Sequence, residues 1–244
     1  MKTWLMRMTA LSLCVLAPLV YAQQQEPMPS PVLRAAYVNF PPLTYTDVNG
    51  QPAGYYISLT EQAAFQAGYR LKWKELPIGR IFLQLKLGEL DLWPGVGDMS
   101  RLQPLAVETT ASIGDLTLAA FGFRDMPEKC KFTDLAGNRL ILMAGYTYFG
   151  ALDFLMDDGR TKVGYAPHHR AGLGMLTRGR GDYFLDYVEP LSVVLADSPV
   201  KDLKWCELRK SRLALLVSRK TLNHRAIIDQ LNAVIEDNRL LINP

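Results

Sequence analysis

Apolar positions along this chain come in short blocks whose period alternates between that of a strand and that of a helix. Leu33 to Val38 is an apolar run of strand length, and Tyr69 to Leu76 alternates with period two. Between them, Ser58 followed by Glu61 forms a capping box that predicts the start of a helix, with Gly68 as its stop. A second helix is predicted from Arg80 to Leu87, ended by Gly88, and Asp91-Leu92-Trp93 returns to strand. This β-α-β-α-β order predicts an α/β fold. Further on, Leu116 to Phe123 and Leu213 to Val217 are apolar β runs. An amphipathic helix follows the second run, with Ile227, Ile228, Leu231, Val234 and Ile235 on one face.

One phrase occurs twice. Leu85-Lys86-Leu87-Gly88-Glu89-Leu90-Asp91-Leu92-Trp93 is matched by Leu176-Thr177-Arg178-Gly179-Arg180-Gly181-Asp182-Tyr183-Phe184, 91 positions later, as Leu-x-x-Gly-x-x-Asp with two strand formers after it. Helix, Gly stop and strand start are common grammar in α/β proteins, but the recurrence points to two similarly built lobes. If the two apolar β runs cross between lobes, lobe 1 comprises residues 32–120 and 214–244. Lobe 2 is then the insert 121–213, with the crossing strands as hinges.

The N-terminus and the charge set the compartment. Lys2 and Arg7 precede an uncharged stretch from Met8 to Val20, and Val20-Tyr21-Ala22 offers small side chains for cleavage after Ala22. Residues 1–22 therefore read as a secretory signal, too short in its apolar part to span a bilayer as a helix. A lipid anchor on Cys14 is the rival reading, opposed by Leu13 where a small residue is wanted. Residues 23–31, with Pro27, Pro29 and Pro31, read as a flexible leader. The 244 residues carry 27 bases and 24 acids; without the signal 25 bases remain and the body is nearly neutral. Scattered charge of this size excludes a phosphate-tracking surface, so nucleic acid is not an expected partner. Cys130 and Cys206 are then an even pair in an oxidising space, and a disulfide between them is the favoured reading over two buried thiols. His168, His169 and His224 show no ligand spacing and read as solvated; no metal or other cofactor is implied.

The ordered motifs resemble the bacterial extracellular solute-binding proteins of family 3, the polar amino acid type that serves ABC transporters. The resemblance is carried by Phe40-Pro41-Pro42-Leu43-Thr44-Tyr45, then Asn49-Gly50-Gln51-Pro52-Ala53-Gly54-Tyr55, the Leu-x-x-Gly-x-x-Asp phrase with Arg101 after it, and Asp134-Leu135-Ala136-Gly137-Asn138-Arg139. It implies a divergent member with a type II, two-lobe periplasmic fold that closes on a small polar solute, an amino acid or something like one. It also implies a periplasmic location, a monomeric state, and an ABC permease or a membrane sensor as partner.

Carried over residue by residue, the resemblance makes Arg101 the candidate clamp for a ligand carboxylate, with Asp98 where a hydroxyl is usual. Asp186 approximates the ammonium-binding acid, Tyr187 occupies its aligned slot, and Tyr37 replaces an acidic side chain near the opening. Phe40 sits at the stacking position, with Tyr45 and Trp93 as further rings. Arg80 opens the second predicted helix, and Thr147 lies in Gly145-Tyr146-Thr147-Tyr148, read as a helix N-terminus able to hold an anion after the strand Leu140 to Met143. Binding for transport leads over a sensing module and over an enzyme resembling a periplasmic cyclohexadienyl dehydratase. The enzyme would need Asp98, Asp186 or Glu189 as a cleft acid or base.

Overall fold

The structure is a computed structural model and describes residues 30–146, 148–157 and 159–237. The expected signal, nearly all of the leader and Thr147 lie outside these residues. Chain order is β1 (Val32–Tyr37), β2 (Tyr45–Thr46), β3 (Pro52–Ala53), α1 (Tyr55–Gln66), β4 (Arg70–Glu75), α2 (Ile78–Leu87), β5 (Leu92–Val96), β6 (Ala106–Glu108) and β7 (Gly114–Gly122). There follow β8 (Arg139–Met143), α3 (Asp153–Asp157), β9 (Lys162–Ala166), α4 (His169–Thr177), β10 (Tyr183–Tyr187), α5 (Val188–Asp197), β11 (Lys204–Ser218) and α6 (His224–Asp237).

Nine of the described strands form one curled sheet in the order β4-β1-β5-β11-β7-β10-β8-β9, with β6 on β11, and β2 and β3 pair with each other apart from it. Two parallel sets flank its centre: β1 pairs with β4 and β5, and β8 pairs with β9 and β10. Parallel neighbours need crossovers, which the helices supply on each side. Antiparallel β7 and β11 join the sets. Along β11, Leu213 to Val217 pair with β5, while Lys204 to Leu213 pair with β7, so one 15-residue strand runs from one set into the other. β7 pairs with β10 from Leu118 onward.

The repeated phrase is a structural clasp in both sets. Asp91 accepts the backbone N–H of Arg34 (2.9 Å) and two guanidinium bonds from it (2.8 Å each), and Arg34 also donates to the carbonyl of Gly88. Asp182 accepts the same three groups of Arg139 at 2.8, 3.2 and 2.9 Å, and Arg139 donates to the carbonyl of Gly179. In each set, therefore, the phrase ties the end of a helix and the start of the next strand to the start of the neighbouring parallel strand. Both Gly88 and Gly179 have left-handed backbone (φ 75° and 67°), which closes the helix before the clasp.

Three apolar clusters fill the layers. Ile81 and Leu85 of α2 pack with Ala36, Leu90, Trp93 and Leu216 on one side of the first set. Phe121, Ile141, Phe184, Leu173, Leu176 and Leu191 form the centre of the second. Ile227, Ile228, Leu231 and Ile235 of α6 are buried as the periodicity predicts, while Val234 is half-buried. Gly172 of α4 has no room for a side chain, because a Cβ there would lie 2.3 Å from the Phe184 ring.

Several local expectations change. Helix α1 begins at Tyr55, so Ser58 and Glu61 are inside it and form no capping box. Its start is set by tertiary contact: the amide of Tyr56 donates to the carbonyl of Leu43 (3.0 Å), and Gly54, with φ 114°, lies so close that a Cβ would meet that oxygen at 2.4 Å. Helix α2 begins two residues before Arg80, after Pro77. The segment after β8 does not open a long helix. Tyr148–Gly150 is a single 3-10 turn and α3 has five residues, too few to align a useful dipole at Gly145. Cys130 and Cys206 are bonded (S–S 2.06 Å, Cα–Cα 5.6 Å), pinning the segment after β7 to the start of β11.

Candidate functional site

Turns that leave the carboxyl ends of parallel strands converge where the two sets face each other, the general position for ligands in open α/β sheets. A cavity of about 470 Å³ lies there. Phe40 follows β1, Leu76, Pro77 and Ile78 follow β4, and Trp93 to Val96 belong to β5. From the second set come Ala144, Gly145, Tyr146 and Tyr148 after β8, and Tyr187 at the end of β10. Leu116 of β7 and Leu213 of β11 close the back, so both connecting strands line the cavity.

Its walls are mostly rings and aliphatic side chains, with Asn39, Thr44 and Glu75 also in the lining. Phe40 meets Tyr146 and Tyr187, each at 5.4 Å between ring centroids, which joins the first set to the second across the mouth. Trp93 packs edge-to-face on Phe82 of α2 at 5.6 Å, and its indole covers Gly95, where any side chain would collide with it. Burial pushes the Tyr187 hydroxyl up to about 12 and raises those of Tyr146 and Tyr148, so these phenols stay neutral.

Behind Tyr146 and Tyr187 lies a polar chain. Asp186, fully buried, accepts the amide of Tyr187 (2.8 Å) and is paired with His169 Nδ1 at 2.6 Å; His169 Nε2 faces the Tyr146 hydroxyl at 3.4 Å. Burial lifts the Asp186 carboxyl above the usual carboxylate range against the pull of His169 and the Tyr187 amide. His169 is thus not solvated, as the sequence suggested, but held under the cleft wall. His168 accepts the amide of Ala171 and caps α4, while His224 Nδ1 meets the carbonyl of Thr221 at 3.2 Å.

Of the candidate residues, the cavity brings together Phe40, Trp93 and Tyr187. Asp186 is one layer deeper. Asp98 stands outside the lining, paired with Arg212 at 3.1 Å, and Arg212 in turn reaches Glu108 and the carbonyl of Thr109. This pairing holds the Asp98 carboxyl below the usual range and occupies it. Arg101 lays its guanidinium over the Phe82 ring at 4.7 Å, and Arg80 is exposed on α2; neither lines the cavity. Tyr37 is buried with its hydroxyl on Thr46, and Tyr45 is in β2, again outside the lining. Glu189 accepts the Thr117 amide with both oxygens (3.0 Å each) and does not reach the cavity. Residues missed from sequence are Tyr146, Tyr148, Tyr56 and the Leu76-Pro77-Ile78 turn. Most of these directly follow a parallel strand, and that position was the available signal.

Among the described residues no group of three or more His, Cys, Asp or Glu is arranged to hold a metal, and no helix is long and apolar enough to cross a membrane. The fold and its cleft define the class: a mixed α/β sheet protein of the two-lobe periplasmic binding type. Residues 33–101 match the family model described as bacterial extracellular solute-binding proteins, family 3, which bears out the resemblance read from the motifs of that stretch. Similar solved structures include an ancestral arginine-binding protein bound to arginine (18% identity, 86% of this chain and 92% of that one, TM-score 0.64). The substrate-binding protein of an amino acid ABC transporter is similar at 18% identity (86% and 94%, TM-score 0.61), and a histidine kinase sensor domain with similarity to periplasmic binding proteins at 20% (87% and 91%, TM-score 0.64). At such identities the likeness is one of fold. No curated protein matches the sequence.

Proposed function

We propose that this protein is a divergent family 3 solute-binding protein that captures a small molecule between its lobes, without chemistry, and presents it to a membrane partner. The observation that carries this reading is the cavity of about 470 Å³ walled by both parallel sets and both connecting strands, so that closure or opening changes its shape directly. Cavities of this size suit small ligands. The lobes are residues 32–120 with 214–244 and the insert 121–213. Export relies on residues 1–22 with cleavage after Ala22, which makes the protein periplasmic, and it acts as a monomer.

Delivery to an ABC permease is the leading role, in keeping with the family match and the transporter-linked neighbour. Sensing for a membrane partner is the second reading, favoured by the kinase sensor domain, whose TM-score of 0.64 matches that of the arginine-binding neighbour. Catalysis has less support. Asp186 and Glu189 stand behind the wall and Asp98 is engaged by Arg212, so no carboxylate of the proposed acid-base set faces the cavity. An amino acid or amino-acid-like solute is the ligand that the neighbours' bound arginine suggests, although among the described residues no Lys or Arg lines the cavity to hold a carboxylate.

A thermal-shift screen of amino acids, polyamines, organic acids and neutral ring compounds tests the binding reading. A true ligand at about 100-fold over its Kd adds roughly 2.7 kcal/mol to stability. Phe40→Ala should abolish the shift without unfolding the protein. A protein that no solute class stabilises is not a solute-binding protein of this kind.

A further inference from the structure

Phe40 is fixed in the first parallel set, yet its ring is held by the second. Its turn after β1 is closed by the Phe40 amide on the Thr44 carbonyl (2.6 Å) and by the amides of Leu43 (2.9 Å) and Thr44 (3.1 Å) on the Phe40 carbonyl. From that turn the ring enters a socket of three rings: Tyr146 and Tyr187 at 5.4 Å between centroids, and His169 at 6.5 Å. Tyr146 in turn lies 6.2 Å from His169 and 5.9 Å from Tyr187, so the socket is continuous. Among the described residues these are the ring contacts that bridge the two sets.

One carboxylate organises the socket. Asp186 is 0% exposed; its Oδ2 meets His169 Nδ1 at 2.6 Å and its Oδ1 accepts the Tyr187 amide at 2.8 Å. His169 Nε2 then reaches the Tyr146 hydroxyl. All three rings are thus tied, directly or at one remove, to a group that water cannot reach to offer an exchange of partners. Neighbouring charges are turned elsewhere: Arg170 pairs with Asp197, and Glu189 accepts the Thr117 amide. A socket ordered in advance loses little freedom when Phe40 enters it.

Strands β7 and β11 can bend as a hinge, but opening the mouth must pull Phe40 out of these rings. We propose that Phe40 and the socket form a latch that keeps the lobes together in the absence of ligand, with His169, tethered by Asp186, as the positioning residue that sets its strength. This rests on the two-lobe binding reading above and adds a consequence for affinity. A solute that binds the closed form finds it already populated, and weakening the latch lowers apparent affinity without touching the ligand.

The test needs no ligand. Nitroxide labels at Val48→Cys and Val193→Cys, both exposed and one in each set, report the distance between lobes by double electron-electron resonance; Cys130 and Cys206 are bonded to each other and take no label. Wild type should give one narrow distribution. Phe40→Ala should raise the fraction of longer distances at least about fivefold, the worth of one lost aromatic pair. The paired change His169→Ala with Asp186→Ala, which leaves no lone buried carboxylate, should do the same with Phe40 intact. All three changes together should open the cleft no further than either alone, since both remove one latch. A role in fold stability alone would lower the melting temperature and leave the distances where they are. If the paired change does not fold, wild type and Phe40→Ala decide. A broad wild-type distribution, or one that Phe40→Ala leaves unchanged, overturns the latch. Opening by Phe40→Ala but not by the folded paired change, or additive opening by the three, overturns the part given to His169. Neither result bears on the binding reading, which the solute screen decides separately.

Discussion

Asp91 offers the sharpest test of how the repeated phrase works. It is 7% exposed and accepts the Arg34 amide, two guanidinium bonds from Arg34 and the Thr221 hydroxyl (2.8 Å). Asp91→Asn keeps the shape, but its amide nitrogen is a donor turned toward donors, so at least one charged hydrogen bond is lost and another is set in conflict. A charged hydrogen bond contributes about 1.5–3 kcal/mol. The Arg34 side chain is 50% exposed and regains water, so the cost belongs near the lower half, about 2 kcal/mol. For a chain of this size that lowers the Tm by about 4–8 °C. The pH dependence has a definite sign. Burial pushes the Asp91 carboxyl up, but the bonds from Arg34 and Thr221 outweigh it and hold the carboxyl below its usual range. A group depressed in the folded state contributes stability above its unfolded pKa, about 3.9, and loses that contribution as pH falls through the lower folded value. The gap between wild type and Asp91→Asn, measured by urea unfolding, should thus be full at neutral pH and shrink below about pH 4. Asp182→Asn should show the same direction with a smaller effect, since its carboxylate is the more exposed of the two (16% against 10%). Equal stability of Asp91→Asn and wild type at pH 7, or a gap that grows on acidification, would refute the clasp.

Three other outcomes are expected. Unreduced, denatured protein should show no reactive thiol from Cys130 or Cys206, and Cys130→Ser should lose up to about 4.5 kcal/mol in urea unfolding, the loop-closure value for a separation of 76 residues. Gly172→Ala should destabilise by about 1–3 kcal/mol despite alanine's better helix propensity, because the Cβ would stand 2.3 Å from the Phe184 ring; circular dichroism melts check this, and a raised Tm would show that the ring moves aside freely. His169→Ala should cost about 3 kcal/mol by leaving the fully buried Asp186 without its partner, whereas the double change His169→Ala with Asp186→Ala should recover part of that loss; additive effects would sink the pairing.

Much of the architecture is legible in the chain alone. Leu33 to Val38, the Gly88 stop and the apolar face of α6 all express local rules: strand-length apolar runs, left-handed glycine and a 3.6-residue period. The recurrence of Leu-x-x-Gly-x-x-Asp points to two lobes, and the structure adds the reason, an Arg on the neighbouring strand that each Asp clasps. Ser58 misleads because its capping pattern is real but the helix starts where Gly54 can approach the Leu43 carbonyl, a contact between segments that no local pattern contains.

By itself, then, the sequence determined the α/β class, the two-lobe repeat, the cysteine pair and several of the rings, because each of these is written in residues near one another or in composition. Only the tertiary structure decided what the cleft wall is made of. Arg101, Arg80 and Asp98 stand near the right places in the chain, yet Arg101 lies on Phe82, Asp98 on Arg212 and Arg80 on an exposed helix face, while Trp93 and Tyr146 supply the wall. Side-chain direction at a strand end depends on register and on the neighbouring lobe, and charge partners such as Arg212 arrive from more than a hundred residues away. A one-dimensional pattern carries neither.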